Sequence, residues 1–163
     1  MEMTSNKVVT RLYNALVILF YATPFLFLIY GQLQQQVVGI DIREILEMNP
    51  YLNITFITSF VTPFIGLYLT YIKQEFEENS IKEEVLINLV AITISFLIMG
   101  NITYGLFVSI LVYFIYLEWR IGVKGWFNYY RSKAFSIKDW IAPISVLLVG
   151  VLIRVMLVLV TNK

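Results

Sequence analysis

Neither cysteine nor histidine occurs anywhere in the 163-residue chain. Their absence excludes disulfides, thiolate and imidazole metal ligation, and the commonest general base. Charge is scarce too: 14% of residues are Asp, Glu, Lys or Arg against 59% hydrophobic, with a mean hydropathy of +0.77. Soluble domains carry about a quarter charged residues, so the composition is that of a membrane protein. Apart from Glu83 and Glu84 at the very start of one, no acidic residue falls inside the apolar runs, and the two aspartates, Asp41 and Asp139, stand at helix-capping positions. A paired-carboxylate centre, a glycine-rich phosphate loop and a serine elbow are all missing. The expectation is therefore no enzyme, no metal and no cofactor.

What is present is a set of apolar runs long enough to cross a hydrocarbon core of about 30 Å. Five spans are predicted: Leu12 to Tyr30, Pro50 to Ile72, Ile81 to Met99, Ile102 to Leu117, and Trp140 to Val160. The first could pass for a signal peptide, but no small-x-small cleavage site follows, so it reads as a retained anchor. Gly100-Asn101 separates the third and fourth spans. One continuous helix across both would be too long for a single crossing, and Gly-Asn is turn chemistry, which predicts a tight hairpin.

Cap signatures mark the boundaries. Asn49 before Pro50 places an N-cap ahead of a proline at the first helical position. Ser80 with Glu83, and Ser136 with Asp139, are capping boxes, the second flanked by Phe135 and Trp140 as a hydrophobic staple. Asp41 with Glu44 caps a short segment whose Ile42, Ile45 and Leu46 share one face, predicting a brief amphipathic helix in the first external loop.

Basic residues set the orientation. With the N-terminus inside, nine lie on the cytoplasmic side (Lys7, Arg11, Lys73, Lys82, Arg120, Lys124, Arg131, Lys133 and Lys138) against two, Arg43 and Lys163, outside. The expected fold is thus an all-α integral membrane protein, one bundle over residues 1–163, N-in and C-out, multi-pass in a plasma membrane.

Small residues mark helix contacts in lipid. The second span carries Thr55, Ser59, Thr62 and Gly66 on one face; the third has Asn88, Ala91 and Ser95, the fourth Gly105 and Ser109. A hairpin turning at Gly100 sets Ser95 against Gly105 and Ala91 against Ser109, and predicts a hydrogen bond from Asn88 to Tyr113. "YATPFLFL" and "FVTPFIGL" repeat Thr-Pro-Phe, at Thr23-Pro24 and Thr62-Pro63. Each proline frees the carbonyl four residues earlier, at Phe20 and Ser59, and predicts a kink. Eight residues from an apolar alphabet do not make a repeat.

Arg154 is a basic residue left inside the last span, and an intramembrane charge is a candidate functional group with a partner to be named. Asp41, Glu44 and Glu47, or the neutral Gln32, Asn101 and Tyr104, are the candidates. The segment from 118 to 139 interleaves Arg120, Lys124, Arg131 and Lys133 with Trp119 and Trp126, a pattern suited to anionic headgroups or a partner protein at the cytoplasmic face. Lipid accounts for those basic residues better than nucleic acid does.

Two functions follow as expectations. The first is a non-enzymatic polytopic protein acting by protein contact: an accessory subunit, an assembly or regulatory factor, or an immunity-type factor of a prokaryotic plasma membrane, with a protein partner or as a homo-oligomer. The alternative is a small transporter or channel subunit with a path at the kinks of the first two spans. A water-filled cavity lined by Thr23, Ser59 and Thr62 would favour transport. An interfacial lipid enzyme would need Glu118, Arg120 and Asp139 to converge.

Overall fold

The computed structural model describes residues 7–79, 82–119, 128, 131 and 137–161. All the regular structure described is helical: α1 (Lys7–Val38), α2 (Ile42–Met48), α3 (Pro50–Asn79), α4 (Lys82–Met99), α5 (Ile102–Trp119) and α6 (Ile137–Thr161). Four of these helices, over 7–38, 52–74, 102–119 and 140–159, contain stretches long and apolar enough to cross a membrane. α4 differs because Lys82, Glu83 and Glu84 crowd its first turn, although no charge follows Glu84 before Met99. Side chains such as Phe25, Phe64, Leu152 and Met156 stand exposed around the bundle. That apolar coat is what a hydrocarbon solvent covers and water does not.

The two longest helices run past the predicted ends. α1 continues from Tyr30 through "GQLQQQVV" to Val38, and α3 from Ile72 to Asn79. Hydropathy locates where a chain leaves the apolar phase. It does not locate where a helix stops, and glutamine and glutamate are good helix formers.

Caps explain the ends. At the end of α1 the Gly39 N–H donates to Gln35 O at 2.9 Å, with φ at 72°. Asp41 Oδ1 accepts from Arg43 N at 2.8 Å to start α2, and Asn49 Oδ1 accepts from Leu52 N at 3.2 Å to start α3, whose first residue is Pro50. The capping residues Ser80 and Ser136, and the staple residue Phe135, lie outside the described residues.

The turn between α4 and α5 is a Schellman motif. Gly100, at φ 84°, donates its N–H to Leu97 O at 3.0 Å, and Asn101 N–H reaches Phe96 O at 2.9 Å. Both bonds close orphan carbonyls of α4. Asn101 then caps α5, its Oδ1 accepting from Tyr104 N at 3.2 Å. One residue ends a helix and begins the next.

α4 is the centre of the bundle, packed between α5 and α6 and touching α3, while α1 packs along α3. Its buried residues, including Val85, Leu89, Ile92, Phe96 and Met99, recur at helical spacing. Phe20 of α1, Phe96 of α4 and Tyr104 of α5 form a triangle with centroids 5.4 to 5.5 Å apart. At the other end of the α1–α3 contact, the buried Tyr13 hydroxyl donates to Leu69 O, and Lys73 Nζ donates to Asn14 Oδ1 at 3.3 Å.

Small residues let backbones approach, but Ser95 and Gly105 do not pair with each other. Ser95 faces α6, where its Oγ donates to Val146 O at 2.9 Å and lies against Gly150. Gly105 meets Leu97 and Phe96 instead. Each helix residue turns the face by about 100°, so Ser95 and Phe96 cannot both look at α5.

Two of the close-approach glycines, Gly150 and Gly66, behave oppositely on substitution. A Cβ at Gly150 collides with Ser95 Oγ and falls 3.0 Å from the Ser95 carbonyl oxygen, whereas one at Gly66 sits 3.4 Å from Phe20 Cβ. We expect Gly150→Ala to lower stability by about 1–3 kcal/mol through overpacking. Gly66→Ala should be neutral or stabilising by up to about 1 kcal/mol, from the gain in helix propensity. Unfolding of both variants in detergent checks the contrast.

Candidate functional site

Buried polar groups in this bundle gather along one seam. In a medium without water each such group must find a partner in the chain, so the seam reveals which ones are committed and which are spare. Ser59 and Thr62 of α3 are 0% exposed. Ser59 Oγ donates to Phe56 O at 2.6 Å and Thr62 Oγ1 to Ser59 O at 2.8 Å. The Ser59 carbonyl is the one that Pro63 deprives of its amide donor, and Thr62 supplies the replacement. Neither residue lines the cavity that Thr23 reaches, described below. The threonine-proline pair is an internally satisfied unit.

Thr23-Pro24 works differently, although both helices run unbroken through their prolines. Thr23 Oγ1 donates to Leu19 O at 2.7 Å and contacts Tyr104 Oη at 2.8 Å. The same three letters therefore serve one helix in α3 and join two helices in α1 and α5.

Asn101 extends the seam. Its Nδ2 donates to Thr58 Oγ1 at 2.9 Å, and Thr58 in turn donates to Ile54 O at 2.9 Å. Asn101 and Thr58 are 4% and 0% exposed, so this is a buried link between the α4–α5 turn and α3. Beside the Phe20–Phe96–Tyr104 triangle, α1, α3 and α5 line a cavity of about 320 Å³ whose polar lining includes Thr23, Thr55, Asn101, Thr103 and Tyr104. Leu26, Phe27 and Leu52 supply much of its apolar wall. A second groove, between α3 and α6 over α4, is lined by Val61, Phe64, Ile65 and Val149 and is almost wholly apolar.

Asn88 does not reach Tyr113. Its Oδ1 accepts from Tyr68 Oη of α3 at 2.6 Å, and Tyr113 is 59% exposed. The hairpin register expected for the small residues points Asn88 at α5, whereas its helix face looks toward α3.

Arg154 is exposed on α6, with Nη1 3.4 Å from the position a Cβ on Gly100 would occupy. α4 has no basic residue in its last turn. The guanidinium of a neighbouring helix thus stands at the negative end of α4, where a cation is favoured. The acids proposed for it belong to α2 and its cap; α2 packs on α1 and α3, with Ile42 against Gly31.

At the opposite end of the bundle Trp119 is half-buried against the core, and Lys82 Nζ lies 5.7 Å from its ring centroid. It is an internal tie between α4 and α5 as well as a surface residue. Glu118 Oε2 is buried without a hydrogen-bond partner among the described residues. Arg131 is exposed, while Arg120, Lys124, Trp126 and Lys133 lie outside the described residues, as does the Asp139 side chain. No group of three or more acidic side chains able to hold a metal occurs among the described residues.

Sequence reasoning missed Thr58, Tyr68 and Gly150. Thr58 sits one position off the small-residue stripe of α3, and Tyr68 two positions beyond Gly66, so neither carried a periodic signal. Asn101 was legible as a turn, and an Asn directly before an apolar run was also legible as an N-cap. The chain matches no family, no curated protein and no solved structure.

Two measurements separate these contacts from their sequence-level rivals. Tyr68→Phe removes the donor to Asn88 and should cost about 1 kcal/mol, while Tyr113→Phe should be silent; the reverse order would restore the expected pairing. Thr62→Val should also cost about 1 kcal/mol. In a Pro63→Ala background that cost should shrink, because the new amide at 63 reaches the Ser59 carbonyl and replaces the hydroxyl.

Proposed function

We propose that this chain is a five-crossing plasma-membrane protein, N-terminus inside, that works by contact with another protein: an accessory subunit, an assembly or regulatory factor, or an immunity-type factor. In this reading α4 is the fifth crossing. It is apolar from Val85 to Met99, about 22 Å of helix, and its charged first turn sits at the cytoplasmic surface with Lys73, Lys82 and Trp119. α4 and α5 form a hairpin whose Gly100-Asn101 turn faces outward. The positive bias, nine basic residues against two, orients the whole.

The observation that carries the reading is the closed interior. Ser59 and Thr62 are fully buried and bonded within α3, and the Phe20–Phe96–Tyr104 triangle lies beside the cavity. A solute path along the kinks of α1 and α3 would have to break this packing. With no acidic residue in the spans beyond Glu83 and Glu84 in the first turn of α4, none lies deep enough to couple an ion or proton, and transport is the weaker reading. The basic aromatic segment between α5 and α6 then serves as the contact surface, held at anionic headgroups.

Because the chain has no native cysteine, single cysteines report cleanly. Arg131→Cys should react with an impermeant maleimide only in inverted vesicles, and Arg43→Cys only in right-side-out ones. A photo-crosslinker attached through the Arg131→Cys thiol should capture one protein species at near-unit ratio in the native membrane. Reversed accessibility would overturn the orientation, and solute flux through liposomes holding the purified chain alone would overturn the contact reading in favour of transport.

A further inference from the structure

Around the cavity between α1, α3 and α5, the hydrogen bonds of Thr23, Tyr104 and Asn101 can be followed proton by proton. Thr23 has one hydroxyl hydrogen, and it goes to Leu19 O at 2.7 Å. At the 2.8 Å contact with Tyr104 the phenol must therefore be the donor. That commits the Tyr104 proton and leaves its oxygen lone pair as an acceptor at the cavity wall. Asn101 is the complement. Its Oδ1 accepts from Tyr104 N and one of its two Nδ2 hydrogens goes to Thr58, whose own hydrogen is turned to Ile54 O, so the second amide hydrogen is spare. The amide orientation is dictated by these neighbours, since the Tyr104 N–H can only meet an oxygen.

Tyr104 and Asn101 thus bring one spare acceptor and one spare donor to the same lining, which the hydroxyl groups of Tyr30, Thr55 and Thr103 share. No Asp, Glu, Lys or Arg lines it, so a charged guest would be buried without a counter-charge. Leu26, Phe27 and Leu52 offer an apolar body its contacts. Its 320 Å³ is at the small end of ligand sites and, at roughly 30 Å³ per water, holds on the order of ten non-hydrogen atoms. Leu26 and Tyr30, on its rim, are 53% and 41% exposed on the apolar surface of the bundle. A guest reaches it sideways from the hydrocarbon phase.

We infer that this cavity binds an uncharged, hydroxyl-bearing amphiphile drawn from the bilayer, with the hydroxyl donating to Tyr104 Oη and accepting from Asn101 Nδ2 while the chain lies on Leu26 and Phe27. A hydroxyl is the smallest group that both donates and accepts, which is what the two spare valences ask for. The inference is independent of the contact function: a protein that works by docking can carry a bound membrane amphiphile, and neither result decides the other.

A diazirine-bearing octanol tests it on the full chain in liposomes. Label should concentrate on peptides carrying residues 23–30 and 101–104. Excess 1-octanol should suppress it about fivefold more effectively than n-octane, the worth of one hydrogen-bonded hydroxyl. Octanoate held ionised at high pH should not compete. Tyr104→Phe keeps the ring triangle and should reduce the preference for octanol over octane to within about twofold, and Leu26→Trp, at an exposed position, should fill the cavity and remove the label there alone. Label spread over the bundle in proportion to exposure, equal competition by octane or octanoate, or label at 23–30 that survives Leu26→Trp would each overturn the assignment.

Discussion

The bond from Asn101 Nδ2 to Thr58 Oγ1 is the constraint around which the bundle is arranged. Asn101 closes the last turn of α4 through its backbone, opens α5 through its carbonyl oxygen, and reaches α3 through its amide nitrogen. Away from water none of those groups has an alternative partner, so the positions of three helices are tied to one side chain. The consequences propagate. With α5 started there, Tyr104 falls opposite Thr23 of α1 and completes the aromatic triangle with Phe20 and Phe96.

Van der Waals contact then does the rest, since lipid gives helices no hydrophobic reason to associate. Gly150 lets α6 lie on the Ser95 backbone, Gly105 admits the Leu97 side chain, and Gly66 brings α3 to Phe20. These three approaches face three different helix pairs. The cavity lies among α1, α3 and α5 beside the triangle, with Tyr104 belonging to both. The spare hydrogen-bond valences of Tyr104 and Asn101 belong to residues that line it. Helix-joining polar groups and a ligand-sized space are thus two outcomes of one geometry.

Much of the fold was legible. Four long apolar helices, the turn at Gly100-Asn101, the Asn49-Pro50 start of α3 and the Asp41 start of α2 all rest on local chemistry that a few adjacent residues carry. The site was much less so. Sequence spacing pairs Asn88 with Tyr113 where the fold pairs it with Tyr68, and Ser95 with Gly105 where the fold sets it against Gly150. Both errors come from one assumption, that the two helices after the turn show each other their small faces. A rotation of about 100° per residue makes such a pairing wrong as soon as the facing angle is off by one position. The repeated Thr-Pro-Phe was a subtler failure: identical letters gave an intrahelical bond at Thr62 and an interhelical one at Thr23, because what lies beside each threonine differs.

By itself, then, the sequence determined that the chain is helical, belongs in a membrane, and breaks its helices at particular residues. Those properties depend on transfer free energy and on caps, which sum over neighbours along the chain. Only the tertiary structure decided which polar groups spend their hydrogen bonds on one another and which are left over. That division depends on the rotation of each helix about its axis and on residues as far apart as Thr23 and Tyr104, and no local pattern encodes either. In hydrocarbon, where every unspent donor or acceptor is costly, this is the part of the structure that chemistry outside the chain can recognise.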